Sequence, residues 1–158
     1  MSQRSLSRGP LSRAVTGMAA IAFAVAGLAV ALPTGASATP ATVAGSCNQA
    51  GCNGLDPYAT GCTSDQYVGA TRTSDDGLTT VNLMYSPSCQ AAWTEVWGGQ
   101  PFSMIDVANN VFNYYTAYTD EWGNGHTPMV TDPGTTRSHG CYYPADGGLG
   151  TCTNAFLA

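Results

Sequence analysis

The run Ser74-Asp75-Asp76-Gly77-Leu78-Thr79-Thr80-Val81-Asn82-Leu83-Met84-Tyr85 decides the fold class. Asp-Gly between strand-forming residues is a strong hairpin signal, because glycine takes positive φ without steric cost. Behind it the side chains alternate, with Val81, Leu83 and Tyr85 on one face and Thr80, Asn82 and Met84 on the other. A period of two means a strand. The first set is assigned to the core and the second to the opposite face. Ahead of the turn, Tyr67, Val68 and Ala70-Thr71-Arg72-Thr73 supply the partner strand. The two adjacent Asp also suggest a calcium loop, but that ion needs more oxygen ligands at spaced positions, so a turn is the reading adopted.

Downstream, Ser86-Pro87 reads as an N-cap and first position of a single helical turn through Cys89, running into a strand that holds Trp93, Thr94, Val96 and Trp97. Gly98-Gly99 breaks that segment. Strands are expected over 102–107 and, rich in aromatics, over 111–119, with Asn109-Asn110 as the turn between them. Trp122-Gly123-Asn124-Gly125 is a second hairpin tip, and Pro128 puts the returning strand at an edge or a bulge. Asp132-Pro133-Gly134 turns the chain again, and a last strand pair, 138–143 with 151–157, flanks a Gly-rich loop. No amphipathic helical pattern interrupts this order. The expectation is an all-β antiparallel domain, a small sandwich or a partly open barrel.

The other end of the chain has a different character. Arg4, Arg8 and Arg13 precede an uncharged apolar run over 18–32, which exits through Ala36-Ser37-Ala38. A basic start, an apolar centre and a small-residue exit make a secretory signal peptide, cleaved after Ala38. The run is shorter than the roughly 20 apolar residues of a membrane span. It lacks a twin-Arg pair, which favours the general secretory route. Residues 39–46 form a flexible lead-in, and 47–158 form one disulfide-stabilised domain. Beyond the leader only Arg72 and Arg137 are positive, against ten Asp and Glu and no Lys. Such a chain repels phosphate backbones and anionic membranes, so neither nucleic acid nor a membrane surface is expected as partner. An extracellular glycan or protein is.

All six cysteines (Cys47, Cys52, Cys62, Cys89, Cys141 and Cys152) lie beyond the leader. An even count in an exported chain reads as three disulfides. Metal binding favours paired short spacings such as Cys-Xaa-Xaa-Cys, which are absent, so no metal and no other cofactor is expected. Six cysteines allow 15 pairings, and the sequence does not choose among them. The working assignment is sequential: Cys47 to Cys52, Cys62 to Cys89 and Cys141 to Cys152. The stretch 47–62 contains Gly51, Gly54, Pro57 and Gly61 and no apolar period. It reads as a stapled loop that takes its order from cross-links and from packing on the strands C-terminal to it.

Cys47 and Cys52, Gly54-Leu55-Asp56-Pro57, Gly61-Cys62, the run Val81-Asn82-Leu83-Met84-Tyr85-Ser86-Pro87-Ser88-Cys89-Gln90-Ala91-Ala92-Trp93 and Thr127-Pro128-Met129-Val130 form an ordered set. The set resembles the YjfA-type secreted proteins, which occur largely in actinobacteria and other Gram-positive bacteria. The resemblance implies a small exported β domain that shares the four leading cysteines and has no established activity. It also implies Arg at the positions of Met84 and Glu95, so this chain lacks two cationic contacts and carries a negative charge at one of them.

Chemistry-bearing residues are sparse. His126 and His139 are the only imidazoles. Ser138-His139 with Asp132 or Asp146 offers hydrolase-type residues without a nucleophile elbow. The acid pairs Asp75-Asp76 and Asp120-Glu121 are adjacent, whereas glycosidase chemistry needs two acids facing across a cleft. The aromatic supply is richer: Trp93, Trp97, Trp122, Tyr114, Tyr115, Tyr118, Tyr142 and Tyr143. About half should fill the core. Tyr115, Trp97 and Trp122 are expected to stay partly exposed and, with polar neighbours such as Asn124, to stack on a sugar ring or a peptide. The expected function is a non-catalytic extracellular binding module, with a small secreted hydrolase or a secreted inhibitor as alternatives.

Overall fold

The structure, a computed structural model, describes residues 45–158. The leader expected over 1–38 and the lead-in up to residue 44 lie outside them. Among the described residues ten strands appear in chain order: β1 (Tyr67–Thr73), β2 (Thr80–Ser86), β3 (Ala91–Trp97), β4 (Met104–Asn109), β5 (Tyr114–Tyr118), β6 (Gly125–His126), β7 (Val130–Thr131), β8 (Arg137–Tyr143), β9 (Thr151–Cys152) and β10 (Phe156–Leu157). They form two antiparallel sheets. In the first, β2 lies between β1 and β3, and the short β6 and β7 both pair with the free edge of β3. In the second, β4 lies between β5 and β8, and β9 and β10 pair with the far side of β8. The result is an open sandwich. Among the described residues no helix is long and apolar enough to cross a membrane.

The alternation of β2 sets the inner face as expected. Val81 packs with Val96, Ile105 and Tyr142, and Leu83 and Tyr85 pack with Ala92, Val107 and Val130. Each fully buried aliphatic side chain here is worth roughly 1.5–3 kcal/mol relative to exposure. Gly77, with φ of 75°, turns the hairpin between β1 and β2.

The outer face of the first sheet departs from expectation. Met84, assigned to the face away from the core, is buried, and so is Trp93. Together with Ala91, Met129, Cys52, Cys62 and Cys89 they form a second apolar cluster. The cause is the stapled N-terminal segment, which lies over this face and buries the sheet on both sides, as otherwise happens in helix-covered sheets. Backbone bonds dock it: Gly54 N–H donates to the Met129 carbonyl at 2.9 Å and Met129 N–H to the Leu55 carbonyl at 2.9 Å. The Asp65 carboxylate accepts from the Ser86 hydroxyl at 2.6 Å and the Ser88 amide at 2.8 Å. The disulfides are Cys47–Cys52, Cys62–Cys89 and Cys141–Cys152. The second of them ties the segment to the end of the β2–β3 turn.

Three further boundaries differ. No helical turn follows Ser86; residues 87–90 form a tight turn between Ser86 and its cross-strand partner Ala91. Ser86 Oγ does accept the Cys89 amide at 3.2 Å, but strand pairing of Ala91 with both Ser86 and Thr131 prevents helix propagation. The strand expected over 111–119 begins only at Tyr114, because Asn109 Oδ1 accepts the Val111 and Asn113 amides and Phe112 takes φ of 68°. The one expected over 102–107 starts at Met104, after Phe102 at φ of 58°.

Candidate functional site

A cleft of about 290 Å³ opens at one edge of the first sheet's outer face, lined by Tyr58, Glu95, Trp97, Asp120, Asn124, Gly125 and His126. Three parts of the chain build it. The outward-facing positions of β3 contribute Glu95 and Trp97. β6 pairs with β3 so that His126 stands opposite Glu95. The stapled segment brings Asp56 and Tyr58 over the top.

The turn over residues 120–124 supplies the remaining wall. Asp120 Oδ1 accepts the backbone N–H groups of Trp122 at 2.8 Å and Asn124 at 2.9 Å, which closes the turn. Its tip docks on Gly98-Gly99: the Gly98 amide donates to Asn124 Oδ1 at 3.2 Å, and the Gly99 amide to the Gly123 carbonyl at 2.9 Å. A Cβ on Gly123 would stand 1.7 Å from the Gly99 carbonyl oxygen, so this close approach requires glycine. The docking holds Asn124 next to Trp97.

The floor of the cleft is polar and tightly bonded. Glu95 is buried, and its Oε1 accepts both the Tyr58 hydroxyl at 2.9 Å and the Trp93 indole N–H at 3.0 Å. Burial of the Tyr58 hydroxyl, and next its bond to Glu95, push its pKa up to about 12. His126 Nε2 and Asp56 Oδ2 lie 3.0 Å apart, and the His126 ring stacks at a tilt on Tyr58 with centroids 4.8 Å apart. The His126 bond comes first among the causes that hold the Asp56 carboxyl below its ordinary range, partial burial opposing it. Asp120 Oδ2, Asn124 Nδ2 and His126 Nδ1 carry no hydrogen bond among the described residues, which leaves them for a ligand.

Of the residues singled out in the sequence, Trp97 and Asn124 meet in this cleft, Trp97 with 52% of its surface exposed. Trp122 stands exposed on the neighbouring tip, outside the lining. Tyr115 is not part of the site: it points toward the second sheet's inner face, half-buried against the cluster of Leu83, Tyr85 and Val107, with its ring over Gly54. The reason is register, since Val107 pairs with Tyr115 and both share the inward face. Tyr58, Glu95 and Asp56 were missed, because only the folded-back stapled segment brings them together. Of the acid pairs, Asp76, bonded to Ser74 and Leu78, and Asp120 close turns, as does Asp146, bonded to Gln100 and Gly148. Two grooves of about 390 and 400 Å³ run beside those turns. They are larger than the Trp97 cleft, but Asp76 and Asp146 are already engaged in closing the turns and Asp75 pairs with Arg72, and the chemistry converges at the cleft.

Comparison with known proteins returns no match among curated proteins and none among solved structures. One protein family matches residues 50–141, a span that runs from the stapled segment into β8 and includes every residue of the cleft. The chain belongs to that family, the proteins of unknown function called DUF2690.

Proposed function

We propose that this protein is a secreted, non-catalytic binding module that holds a neutral cell-wall glycan in the Trp97 cleft. The observation that carries the reading is the half-exposed Trp97 indole beside the unspent Asn124 donor and Asp120 acceptor. An aromatic face with a donor and an acceptor at its edge suits a pyranose ring, which presents C–H groups on its face and hydroxyls around its rim. Secretion is supported by the three disulfides, which an oxidising compartment maintains, together with the leader-like pattern over 1–38. The resemblance of the ordered cysteine and Trp93 motifs to the YjfA-type secreted proteins supports the same reading.

Retention of the purified protein on insoluble cell wall tests the proposal. Trp97→Ala is expected to weaken retention about tenfold, a loss of about 1.4 kcal/mol, with the fold intact. Equal retention of the variant, or capture of a protein partner and no polysaccharide, overturns it. A second reading, a small hydrolase, has one observation in its favour: His126 paired with Asp56 at 3.0 Å, an arrangement suited to a general base. Turnover of a wall polymer that His126→Ala abolishes would establish that reading instead.

A further inference from the structure

The opposite face of the sandwich carries a second constellation. On the second sheet Ile105, Val107, Tyr115, Ala117 and Tyr142 point inward, so Met104, Asp106 and Ala108 of β4 point out, as do Tyr114, Thr116 and Tyr118 of β5 and His139, Cys141 and Tyr143 of β8. The register places them in a grid. Asp106 stands opposite Thr116 on one side and Cys141 on the other, and the corners are Tyr114, Tyr118, His139 and Tyr143. With strands about 4.8 Å apart and about 6.8 Å between alternate residues, the grid measures roughly 10 by 14 Å.

Its centre is unusual. Asp106 is 4% exposed, and its Oδ1 is buried with no hydrogen-bond partner among the described residues. The Tyr114 and Tyr143 hydroxyls lie near enough to interact with this carboxyl, and neither reaches Oδ1 in hydrogen-bonding geometry. No ion pair forms with it among the described residues; Arg72 is engaged with Asp75. Around this acid the rings remain open: Tyr118 is 67% and Tyr114 54% exposed, and Tyr143 is exposed too.

We propose that this face recognises an organic ammonium group, seated on the rings of Tyr114, Tyr118 and Tyr143 above the Asp106 carboxylate. Tyrosine faces attract cations through their quadrupole, each raising affinity about two- to fivefold at exposed sites and more when desolvated. A carboxylate beneath the rings adds Coulomb attraction, and phenols turned toward that charge become more electron-rich. The acid excess of the chain, ten Asp and Glu against Arg72 and Arg137 beyond the leader, favours the same sign of ligand. Burial raises the Asp106 pKa from its ordinary value, with Tyr143, His139 and Tyr114 lowering it in part, and a bound cation relieves that burden. The inference is independent of the Trp97 cleft, which lies on the other sheet.

The test is a titration of the oxidised protein with choline chloride at pH 8, and in parallel with 3,3-dimethylbutan-1-ol, its uncharged isostere. The ring signals of Tyr114, Tyr118 and Tyr143 are followed by NMR. Choline should shift them saturably and the isostere should bind at least tenfold more weakly. Asp106→Asn should weaken choline at least tenfold, and Trp97→Ala should leave its binding unchanged. Should Asp106→Asn lose the native amide spectrum, Tyr118→Ala, which removes only an exposed ring, should weaken choline about two- to fivefold. Absence of saturable shifts, equal binding of the isostere, or full affinity in a folded Asp106→Asn or Tyr118→Ala variant overturns the proposal.

Discussion

The indole N–H of Trp93 donates to Glu95 Oε1 at 3.0 Å, two residues along the same strand and beneath the stapled segment. The Tyr58 hydroxyl meets the same oxygen from the other side. Glu95 is therefore the acceptor that fastens the segment onto the sheet. An Arg at this position has no acceptor to offer either donor. The acidic residue thus has a packing reason of its own in this chain.

Glu95→Ala leaves both donors without that acceptor, one of them fully buried, and is expected to cost about 2–3 kcal/mol in urea unfolding. Glu95→Gln keeps a carbonyl acceptor and should cost less. It should also bring the Tyr58 pKa down part of the way from about 12, burial being the larger cause of the shift. The sign follows from linkage. Between pH 10 and 12 the folded chain holds the Tyr58 proton and the unfolded chain releases it, so this contribution is present below pH 10 and lost as pH rises to 12. Glu95→Gln should narrow that window, as read from Tyr58 ring shifts and alkaline melts.

The disulfides should differ in weight. Cys62–Cys89 closes a separation of 27 residues and Cys47–Cys52 one of 5. Loop entropy predicts losses of about 3.5 and about 2 kcal/mol for the respective double Ala variants. Denaturant midpoints check the order, and a larger loss for Cys47–Cys52 contradicts it.

Asp106 should reveal itself in the pH dependence of stability. Burial sets its folded pKa above the unfolded value. Its contribution is complete below the ordinary carboxylate range and lost as pH rises through the folded pKa. Asp106→Asn removes that loss, so its melting temperature relative to wild type should be higher by a few °C at pH 7 than at pH 3. An equal difference at the two pH values contradicts the assignment.

The sheets touch closely at Gly140, where an added Cβ would meet Thr94 Oγ1 at 2.0 Å and Thr94 Cβ at 2.9 Å. Thr94 has little room to move, because its hydroxyl donates to the Asp106 carbonyl at 2.7 Å. Gly140→Ala is expected to cost about 1–3 kcal/mol through overpacking. Paired with Thr94→Ala it should cost less than the sum of the two single changes, since they share one contact.

Much of the sheet structure was legible in the chain itself, and particular residues show why. Gly77 and the alternation of Val81, Leu83 and Tyr85 are local signals, and β1 and β2 form where they predict. Pro128 separates β6 from β7, as a residue without an amide donor should. The Trp97 cleft was legible only at Trp97 and Asn124. Asp56 and Tyr58 reach it from a segment with no period of its own, and Tyr115 left it because a one-residue register choice selects the face.

The amino-acid sequence alone determined the all-β class, the hairpin turn at Gly77, the acidic balance and the inward face of β2, because these depend on neighbours in the chain. Tertiary structure decided the rest: which cysteines join, that the outer face of the first sheet is covered, and that Asp106 lies buried among exposed tyrosines. Those outcomes depend on contacts between residues far apart in the chain, whose approach is set by packing and strand register and not by any local pattern.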